Sequence, residues 1–388
     1  MTPALARLIT GQVCLHASMA GMRMAAPLLA LRAGYSEAAV GVLLSLFALT
    51  QVFLSLPAGN YADRHGLRRP FGLAVIAAAA GGGLAAAFPI FPVLCLAALL
   101  TGGAAGTAVI ALQRHVGRAT EGPTQLRQVF SWLAIGPAFS NFIGPFFVGL
   151  AIDHGGFRLA FLIVTMLPLV AWFWVRDVHE LPPVDHARHG KAGPAWDLLR
   201  EPMFRRLLLV NWLLSSCWDV HTFVVPVLGN ERGLSASVIG TILGGFAIAA
   251  AAVRVLLPTL AARVQEWAVI TVAMTATAVL FSVYPLLHSA LAMGACSALL
   301  GLALGAVQPM VMSMLHQITP EHRHGQAVGL RLMAINASSV SMPMLFGAAG
   351  AVIGIAGVFW TVAAAVASGT RIAFGLRRAQ PEPPAQRL

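Results

Sequence analysis

Residues 59–70, "GNYADRHGLRRP", decide the fold because they stand between two long and nearly chargeless runs. The run before them reads "AVGVLLSLFALTQVFLSLPA", and the run after them reads "FGLAVIAAAAGGGLAAAF". Four charged residues, Asp63, Arg64, Arg68 and Arg69, fall within seven positions of a chain that is only 10% charged. This concentration of charge indicates a solvated loop between two helices that cross a membrane.

The composition of the whole chain supports the same interpretation. The 388 residues are 58% hydrophobic, whereas a soluble protein carries about 25% charged residues. Runs of about 20 apolar residues recur along the chain, and each is long enough to cross a bilayer as a helix. A transmembrane β-barrel is excluded because the apolar residues continue where a barrel strand would alternate. The sequence therefore predicts an all-α polytopic membrane protein and not a soluble enzyme.

The apolar runs predict twelve transmembrane helices. The first run has no cleavage site of small residues and eleven more follow it, so we expect a permanent helix and not a removed signal peptide. The spans are expected at residues 8–31, 37–58, 70–89, 92–113, 128–152, 157–176, 206–228, 236–262, 267–287, 290–315, 326–351 and 353–375.

The basic residues predict the orientation of the chain in the membrane. With the N-terminus inside, 19 of the 25 Lys and Arg residues fall on the cytoplasmic side. They include Arg7, Arg114, Arg118, Arg127, Arg200, Arg205, Arg206, Arg263, Arg377 and Arg378. We therefore expect a bacterial inner-membrane protein with both termini in the cytoplasm. The net charge of +11 is explained by this topology, and no nucleic-acid partner is expected.

An internal repeat divides the predicted helices into two sets of six. The polar stretch 176–206 separates the sets, and the halves match at an offset of 199 residues. The matching pairs include Pro27 and Pro226, Gly34 and Gly233, Phe47 and Phe246, Gly102 and Gly301, and Gly106 and Gly305. The predicted domains are therefore a six-helix bundle at 1–176, a cytoplasmic linker at 177–205, a second bundle at 206–376 and a cytoplasmic tail at 377–388. Repeated bundles of this kind build secondary transporters with a site near the membrane midplane.

The loop between the second and third spans resembles the signature of the major facilitator superfamily, G-x-x-x-D-R-x-G-R-[KR]. The residues that carry the resemblance are Gly59, Asp63, Arg64, Gly66, Arg68 and Arg69, with Leu67 where the family has a basic residue. The equivalent loop of the second half, "PTLAARVQEW", keeps only Arg263. The resemblance covers essentially the whole chain and implies two pseudo-symmetric six-helix bundles, the major facilitator fold.

The resemblance also implies a role for Asp63. In the family this carboxylate meets the N-terminal end of the eleventh helix, where the helix dipole favours negative charge. There it would latch the two halves on the cytoplasmic side, and Arg331 in that helix is the expected partner. The alternative is that the loop serves only to fix the topology.

The fifth span, "GPAFSNFIGPFFVGL", partly resembles the antiporter signature of the same family. Gly144, Pro145 and Gly149 fit that signature, whereas Ser140 and Val148 depart from it. The match favours export by antiport, and the alternative is an ordinary kinked helix packed through small residues. Gly102 stands where the family has a basic residue in the fourth span, so no proton relay through that helix is implied.

Polar residues inside the membrane are costly and are therefore candidates for the transport pathway. In the first span Gln12, His16 and Arg23 have spacings of four and seven, which place them on one helical face. The seventh span carries a matching stripe, formed by Asn211, Ser215, Asp219 and Thr222. We expect the two stripes to line one central cavity.

Asp219 is the candidate for proton exchange, because a carboxylate in a cavity of low dielectric constant can bind and release a proton. The alternative for Asp219 is a structural ion pair with Arg23, and His16 and His221 are alternative titrating groups. Further pathway candidates are Arg254, Gln308 and Asn336. Arg254 and Arg331 would either bind cargo or act as gate residues.

These features predict a secondary active transporter that exports a small organic molecule by proton-coupled alternating access. Three arginines within spans favour an anionic or zwitterionic cargo. The alternatives are a multidrug–proton antiporter for lipophilic compounds and an uptake symporter for organic anions. We expect no enzymatic activity, cofactor or metal, because P-loop, H-E-x-x-H and G-x-S-x-G motifs are absent from the sequence. The expected partners are a small-molecule substrate, protons and the lipid bilayer, with the protein acting as a monomer.

Overall fold

A computed structural model describes residues 2–35, 37–181, 193–234, 236–260 and 263–379. Parts of the predicted linker and tail, residues 182–192 and 380–388, lie outside this range. Within it the chain forms helices and no strands. The long helices are α1 (Pro3–Arg32), α2 (Glu37–His65), α3 (Arg68–Ala87), α4 (Phe91–Arg118), α5 (Gly122–Leu133), α6 (Ile135–Val175), α7 (Pro202–Glu231), α8 (Ala236–Leu260), α9 (Glu266–Val283), α10 (Ala290–Ile318) and α11 (His324–Gly375).

Two of these helices are bent pairs, and when α5 and the first part of α6 are counted as one span the eleven helices correspond to the twelve predicted spans. In α6 the backbone leaves the helical region at Gly156, where φ is 72°, and in α11 it does so at Gly354, where φ is 73°. Glycine adopts such positive φ values without the clash that a side chain would cause. By length and composition, nine stretches of the described residues can cross a membrane, and the 54 residues of Gly122–Val175 are long enough for two crossings. The prediction of an all-α protein with twelve membrane helices is confirmed.

The internal repeat is visible in the positions where helices begin and end. Helices α1 and α7 each contain 30 residues, and they begin 199 residues apart, at Pro3 and Pro202. Helices α4 and α10 also begin 199 residues apart, at Phe91 and Ala290. Local chemistry explains the starts. A proline occupies the first turn of α4, where no hydrogen bond is lost, and the Ser289 side chain caps α10.

The described residues group into two compact units. Unit 1 contains Met1–Glu121, Trp132–Ala195 and Pro320–Val340, and unit 2 contains Gly122–Ser131, Trp196–Thr319 and Ser341–Leu388. Each unit therefore includes the first residues of a helix whose remainder belongs to the other unit. For unit 1 this helix is α11, and for unit 2 it is α5.

Matching glycines allow the same close helix packing in both units. In unit 1 α2 packs on α4, and a methyl group at Gly102 would overlap the backbone of Phe47. In unit 2 α8 packs on α10, and a methyl group at Gly301 would overlap the backbone of Phe246. Gly102 and Gly301 therefore permit the close approach of helix backbones that small residues allow in membrane proteins.

Candidate functional site

The carboxylate of Asp63 lies near the end of α2 and holds the start of α11 within unit 1. Its Oδ1 accepts the backbone N–H of Gly325 and its Oδ2 accepts that of Gln326, both at 2.9 Å. These N–H groups lie in the first turn of α11, where they have no partner within the helix and the helix dipole favours an anion. A methyl group at Gly325 would overlap Asp63 and the carbonyl of Gly59, so glycine is needed for this approach.

The cation that neutralises Asp63 is Arg114. Its Nε donates to Oδ1 of Asp63 at 2.6 Å and its Nη2 donates to the Asp63 carbonyl at 3.1 Å. Both side chains are buried, with 2% and 4% of their surfaces exposed. The count of basic residues places Arg114 among the topogenic residues, and the motif predicts Arg331 as the partner of Asp63. The structure places Arg114 in this position because α2 packs directly against α4, which carries it.

Two further contacts lie around this buried pair. Arg118 donates from Nε to Oε1 of Glu321 at 2.6 Å, and Gln326 donates to Oδ1 of Asn60 at 2.8 Å. The Glu321 side chain is 59% exposed. Partial burial raises the pKa of Glu321, but the hydrogen bond and charge of Arg118 outweigh it and bring the pKa below its usual value. The Arg118–Glu321 pair is therefore accessible to water, whereas the Asp63–Arg114 pair is buried.

The rest of the predicted motif forms the turn between α2 and α3. Gly66 has a φ of 76°, which turns the chain, and Arg64 and Arg69 are exposed. The start of α3 is capped by Glu180, whose Oε1 accepts the backbone N–H of Leu67 at 2.6 Å and that of Arg68 at 3.2 Å. No pattern in the sequence predicts this cap, because Glu180 lies more than 100 residues away in the predicted linker.

Unit 2 holds the start of α5 with a second buried carboxylate. Glu266 is the first residue of α9 and is fully buried. Nη1 of Arg127, in α5, lies 3.0 Å from each of its oxygens. Its Oε1 also accepts hydrogen bonds at 2.7 Å from Ser313 and Gln317 of α10. The count of basic residues places Arg127 among the topogenic residues. Glu266 falls outside the motif position, because it follows Arg263 by three residues instead of preceding it.

The polar stripe predicted on α1 has both buried and exposed members. Gln12 is only 3% exposed and packs against Gly136 of α6, where a methyl group would lie 3.1 Å from its Oε1. His16 is half-buried and Arg23 is exposed. The surface of α1 that solvent or cargo can reach is therefore at the Arg23 end of the stripe.

The stripe predicted on α7 follows the same order. Asn211, which matches Gln12 in the repeat, is 3% exposed. Ser215 and Asp219 are half-buried, and Thr222 is exposed. The Thr222 hydroxyl donates to the Trp218 carbonyl at 3.0 Å within its own helix. Asp219 therefore retains access at the surface of the unit, whereas Asn211 belongs to its interior.

The remaining pathway candidates are mostly packed within helices. Arg254 is 8% exposed, and its Nε donates to the Gly305 carbonyl at 3.2 Å. Its guanidinium also lies 5.6 Å from the centre of the Trp218 ring, a favourable cation–π contact. Arg331 is 4% exposed. Gln308 and Asn336 are half-buried, and Asn336 donates to the carbonyl one turn before it.

The antiporter-like segment brings α6 close to α1 in unit 1. A methyl group at Gly144 would overlap the Ala17 carbonyl, whereas one at Gly149 would make only ordinary contact with Met24. Ser140, which departs from the family signature, donates to the Val13 carbonyl of α1 at 3.1 Å. Pro145 lies within the helix. Gly144 and Ser140 thus both contact α1, as a helix packed through small residues would.

A family model and two known transport-related proteins match this sequence. The family model described as Major Facilitator Superfamily matches residues 8–294 and 207–388. An efflux pump, azaK, from Aspergillus niger is 28% identical over 247 residues, which cover 56% of this chain but only 50% of the pump. The chain thus spans about half the length of that relative. The class B tetracycline resistance protein of Escherichia coli is 26% identical over 322 residues, covering 79% of this chain and 77% of its own.

Solved structures share the fold over almost the whole chain. The human organic anion transporter MFSD10 (TETRAN) has a TM-score of 0.79 with 15% identity, covering 96% of this chain and 99% of its own. A bacterial homologue of the iron transporter ferroportin, in an outward-facing state, has a TM-score of 0.77 with 14% identity, covering 97% and 99%. At these identities the similarity concerns the fold alone.

Proposed function

The chain belongs to the Major Facilitator Superfamily, a family of membrane transporters and not of enzymes, and from this premise we propose that it exports a small organic molecule in exchange for protons. Two relatives, an efflux pump and a tetracycline resistance protein, support export. The observation that carries the proposal is the buried Asp63–Arg114 pair at the start of α11, because α11 begins in unit 1 and continues into unit 2.

Alternating access requires contacts that form in one state and break in another. The two hydrogen bonds between the Asp63 carboxylate and the first turn of α11 can form and break in this way, because water can replace them when the two groups separate. Glu266 and Arg127 provide a second contact of this kind at the start of α5. The positive-inside rule favours a cytoplasmic location for both contacts and for both termini, in the inner membrane of a bacterial cell.

The proposed cargo is a small anionic or zwitterionic molecule. Of the three arginines predicted within spans, Arg254 and Arg331 are buried, and Arg23 is exposed on α1. An exposed guanidinium within a membrane span needs water, a counter-charge or an anionic ligand. The second candidate is antiport of lipophilic drugs, which the relative named for tetracycline resistance favours. In both cases the protein would act as a monomer.

Asp219 is the proposed site of proton exchange, because it is a half-buried carboxylate on the polar stripe of α7. Binding of a proton and binding of an anionic cargo would stabilise different charge states of the site. This competition makes the exchange obligatory. His16 is the next candidate.

The test is transport into proteoliposomes under an imposed pH gradient, with panels of organic anions and lipophilic cations. We expect uphill transport by the wild type, and its loss in Asp219→Asn while substrate binding or substrate–substrate exchange persists. Asp153→Asn, which removes an exposed carboxylate outside the candidate site, is the matched control. Failure of the wild type to couple any cargo to the gradient would overturn the proposal. Uphill transport by Asp219→Asn would show that coupling does not depend on Asp219, and His16 would then be the next residue to test.

A further inference from the structure

We propose that the outer surface of unit 1 binds one anionic diacyl phospholipid, with its phosphate at Arg68 and Arg69 and one acyl chain on each side of α3. Two adjoining grooves, a basic pair that lines the first of them and a comparison with unit 2 support this assignment. It does not depend on the proposed cargo or on proton coupling.

The first groove lies between α3 and the second half of α6. Its volume is about 540 Å³, and its walls are formed by Gly72, Leu73, Ile76, Leu169 and Trp172. Arg68, Arg69 and Tyr61 also line it. The walls are therefore apolar, and the charged groups belong to the first turn of α3.

The second groove lies between α2, α3 and α4. Its volume is about 460 Å³, and its lining includes Leu54, Pro57, Leu99 and Leu100. Tyr61 and Leu73 line both grooves, which therefore adjoin along α3. A molecule with one polar end and two apolar chains matches this arrangement.

The exposed apolar residues of the grooves favour hydrocarbon as their occupant. They lie on membrane-spanning helices, and they are Leu73, Ile76, Leu169 and Leu54, which are 53%, 66%, 46% and 43% exposed. Water in such apolar grooves would find few hydrogen-bond partners. Acyl chains fill them without this cost.

The basic pair selects the headgroup. Arg69 is exposed and makes no hydrogen bond or ion pair with any described residue. Arg68 donates to the Val178 carbonyl at 3.0 Å, and its Nε lies 3.7 Å from the carboxylate of Glu180 in a largely exposed pair. Two guanidinium groups against one carboxylate leave a net positive charge. Guanidinium groups bind phosphate oxygens in pairs, so an anionic phosphate headgroup is favoured.

Unit 2 provides an internal comparison. At the 199-residue offset, Trp267 and Ala268 replace Arg68 and Arg69, and Thr271 replaces Gly72. Helix α9 therefore begins without either arginine, and the packing of this helix in the repeat does not require them. Of these two equivalent positions, only the one in unit 1 carries the basic pair.

The test is native mass spectrometry of the detergent-purified protein with three probes. They are phosphatidylglycerol, phosphatidylcholine with the same acyl chains, and inorganic phosphate. We expect phosphatidylglycerol to remain bound at collision energies that remove phosphatidylcholine, and inorganic phosphate to give no stable adduct. In Arg68→Gln/Arg69→Gln the affinity for phosphatidylglycerol should fall about tenfold, equivalent to about 1.4 kcal/mol.

Controls separate binding from folding. Arg69→Gln alone changes an exposed residue that has no hydrogen bond or ion pair with a described residue, and it should lower the affinity without altering helicity. Arg377→Gln/Arg378→Gln, which removes an exposed basic pair of unit 2, should leave the adducts unchanged. Ile76→Trp should weaken phosphatidylglycerol binding by filling the first groove. Equal retention of the two lipids, or wild-type retention by Arg68→Gln/Arg69→Gln, would overturn the proposal. A stable adduct of inorganic phosphate would also overturn it, because the site would then be an anion site only.

Discussion

Both carboxylate oxygens of Glu266 lie 3.0 Å from the same guanidinium nitrogen of Arg127, and the glutamate is fully buried. Arg127 belongs to the start of α5, as Gly325 belongs to the start of α11. Each unit thus uses a buried carboxylate to hold the first turns of a helix that continues into the other unit. The residues that do this differ in the two units, although the helices are related by the repeat.

The first prediction concerns the stability of unit 2. Glu266→Gln removes the carboxylate that pairs with the buried Arg127, and we expect a loss of about 3–5 kcal/mol in the free energy of unfolding. Thermal unfolding in detergent measures this loss. In Arg127→Gln/Glu266→Gln the loss should be smaller than the sum of the two single losses. Glu321→Gln, which breaks an exposed pair with Arg118, is the control and should cost about 0–1 kcal/mol. Additive single losses would show that the pair is not coupled.

The second prediction concerns Asp63. Asp63→Asn removes the charge that neutralises Arg114 and weakens the hold on the start of α11. We expect normal membrane insertion, with transport reduced at least about tenfold. A cysteine replacing the fully buried Val328, in a variant without the four native cysteines, should react faster with a thiol reagent. Arg158→Gln changes an exposed arginine outside the motif and should alter neither measurement. Wild-type transport by Asp63→Asn would leave the loop with a topological role only.

The third prediction concerns cargo. If Arg23 binds an anionic group, Arg23→Gln should lower the affinity for anionic substrates about tenfold, because a charge-assisted hydrogen bond is lost, and should spare neutral substrates. Arg23→Lys keeps the charge but not the paired geometry, and we expect an intermediate affinity. Binding is measured by displacement of a fluorescent or radiolabelled substrate. Equal losses for anionic and neutral substrates would contradict the proposed role.

The fourth prediction concerns pH. The pKa of Glu321 is lower in the folded protein, so its pair with Arg118 stabilises the fold above the usual pKa of a glutamate, about 4.3, and this stabilisation is lost as the pH falls through the lowered value. The wild type should therefore unfold at a slightly higher temperature than Glu321→Gln at pH 7. The difference should decrease as the pH falls below about 4.3. A difference that does not change with pH would assign it to packing instead of charge.

The fold was predictable from the sequence because its main determinants are local. Each apolar run is long enough to span a bilayer, and Gly34, Gly102 and their counterparts mark turns and close contacts in both halves. Gly156 and Gly354 end one helix and begin the next, as the predicted spans require. The contact of Asp63 with the start of the eleventh helix was implied by the family motif.

The ion pairs were not predictable, because they depend on which helices pack together. Arg114 and Arg127 resemble loop arginines in a charge count, but α4 and α5 carry them into buried positions opposite Asp63 and Glu266. The spacing that put Gln12 and Arg23 on one face of α1 says nothing about which part of that face α6 covers. A search for every acid near a predicted helix end, instead of at the motif position, would have found Glu266.

The division of α11 between the units has a consequence for how the chain is made. Asp63 and Gly325 are separated by 262 residues, so unit 1 is incomplete until most of the polypeptide has been synthesised. At about 5–20 residues per second this interval is roughly 13–50 s. During this time the carboxylate of Asp63 cannot reach the backbone donors of Gly325 and Gln326, and the packing of unit 1 is completed only by a segment of the second half of the chain.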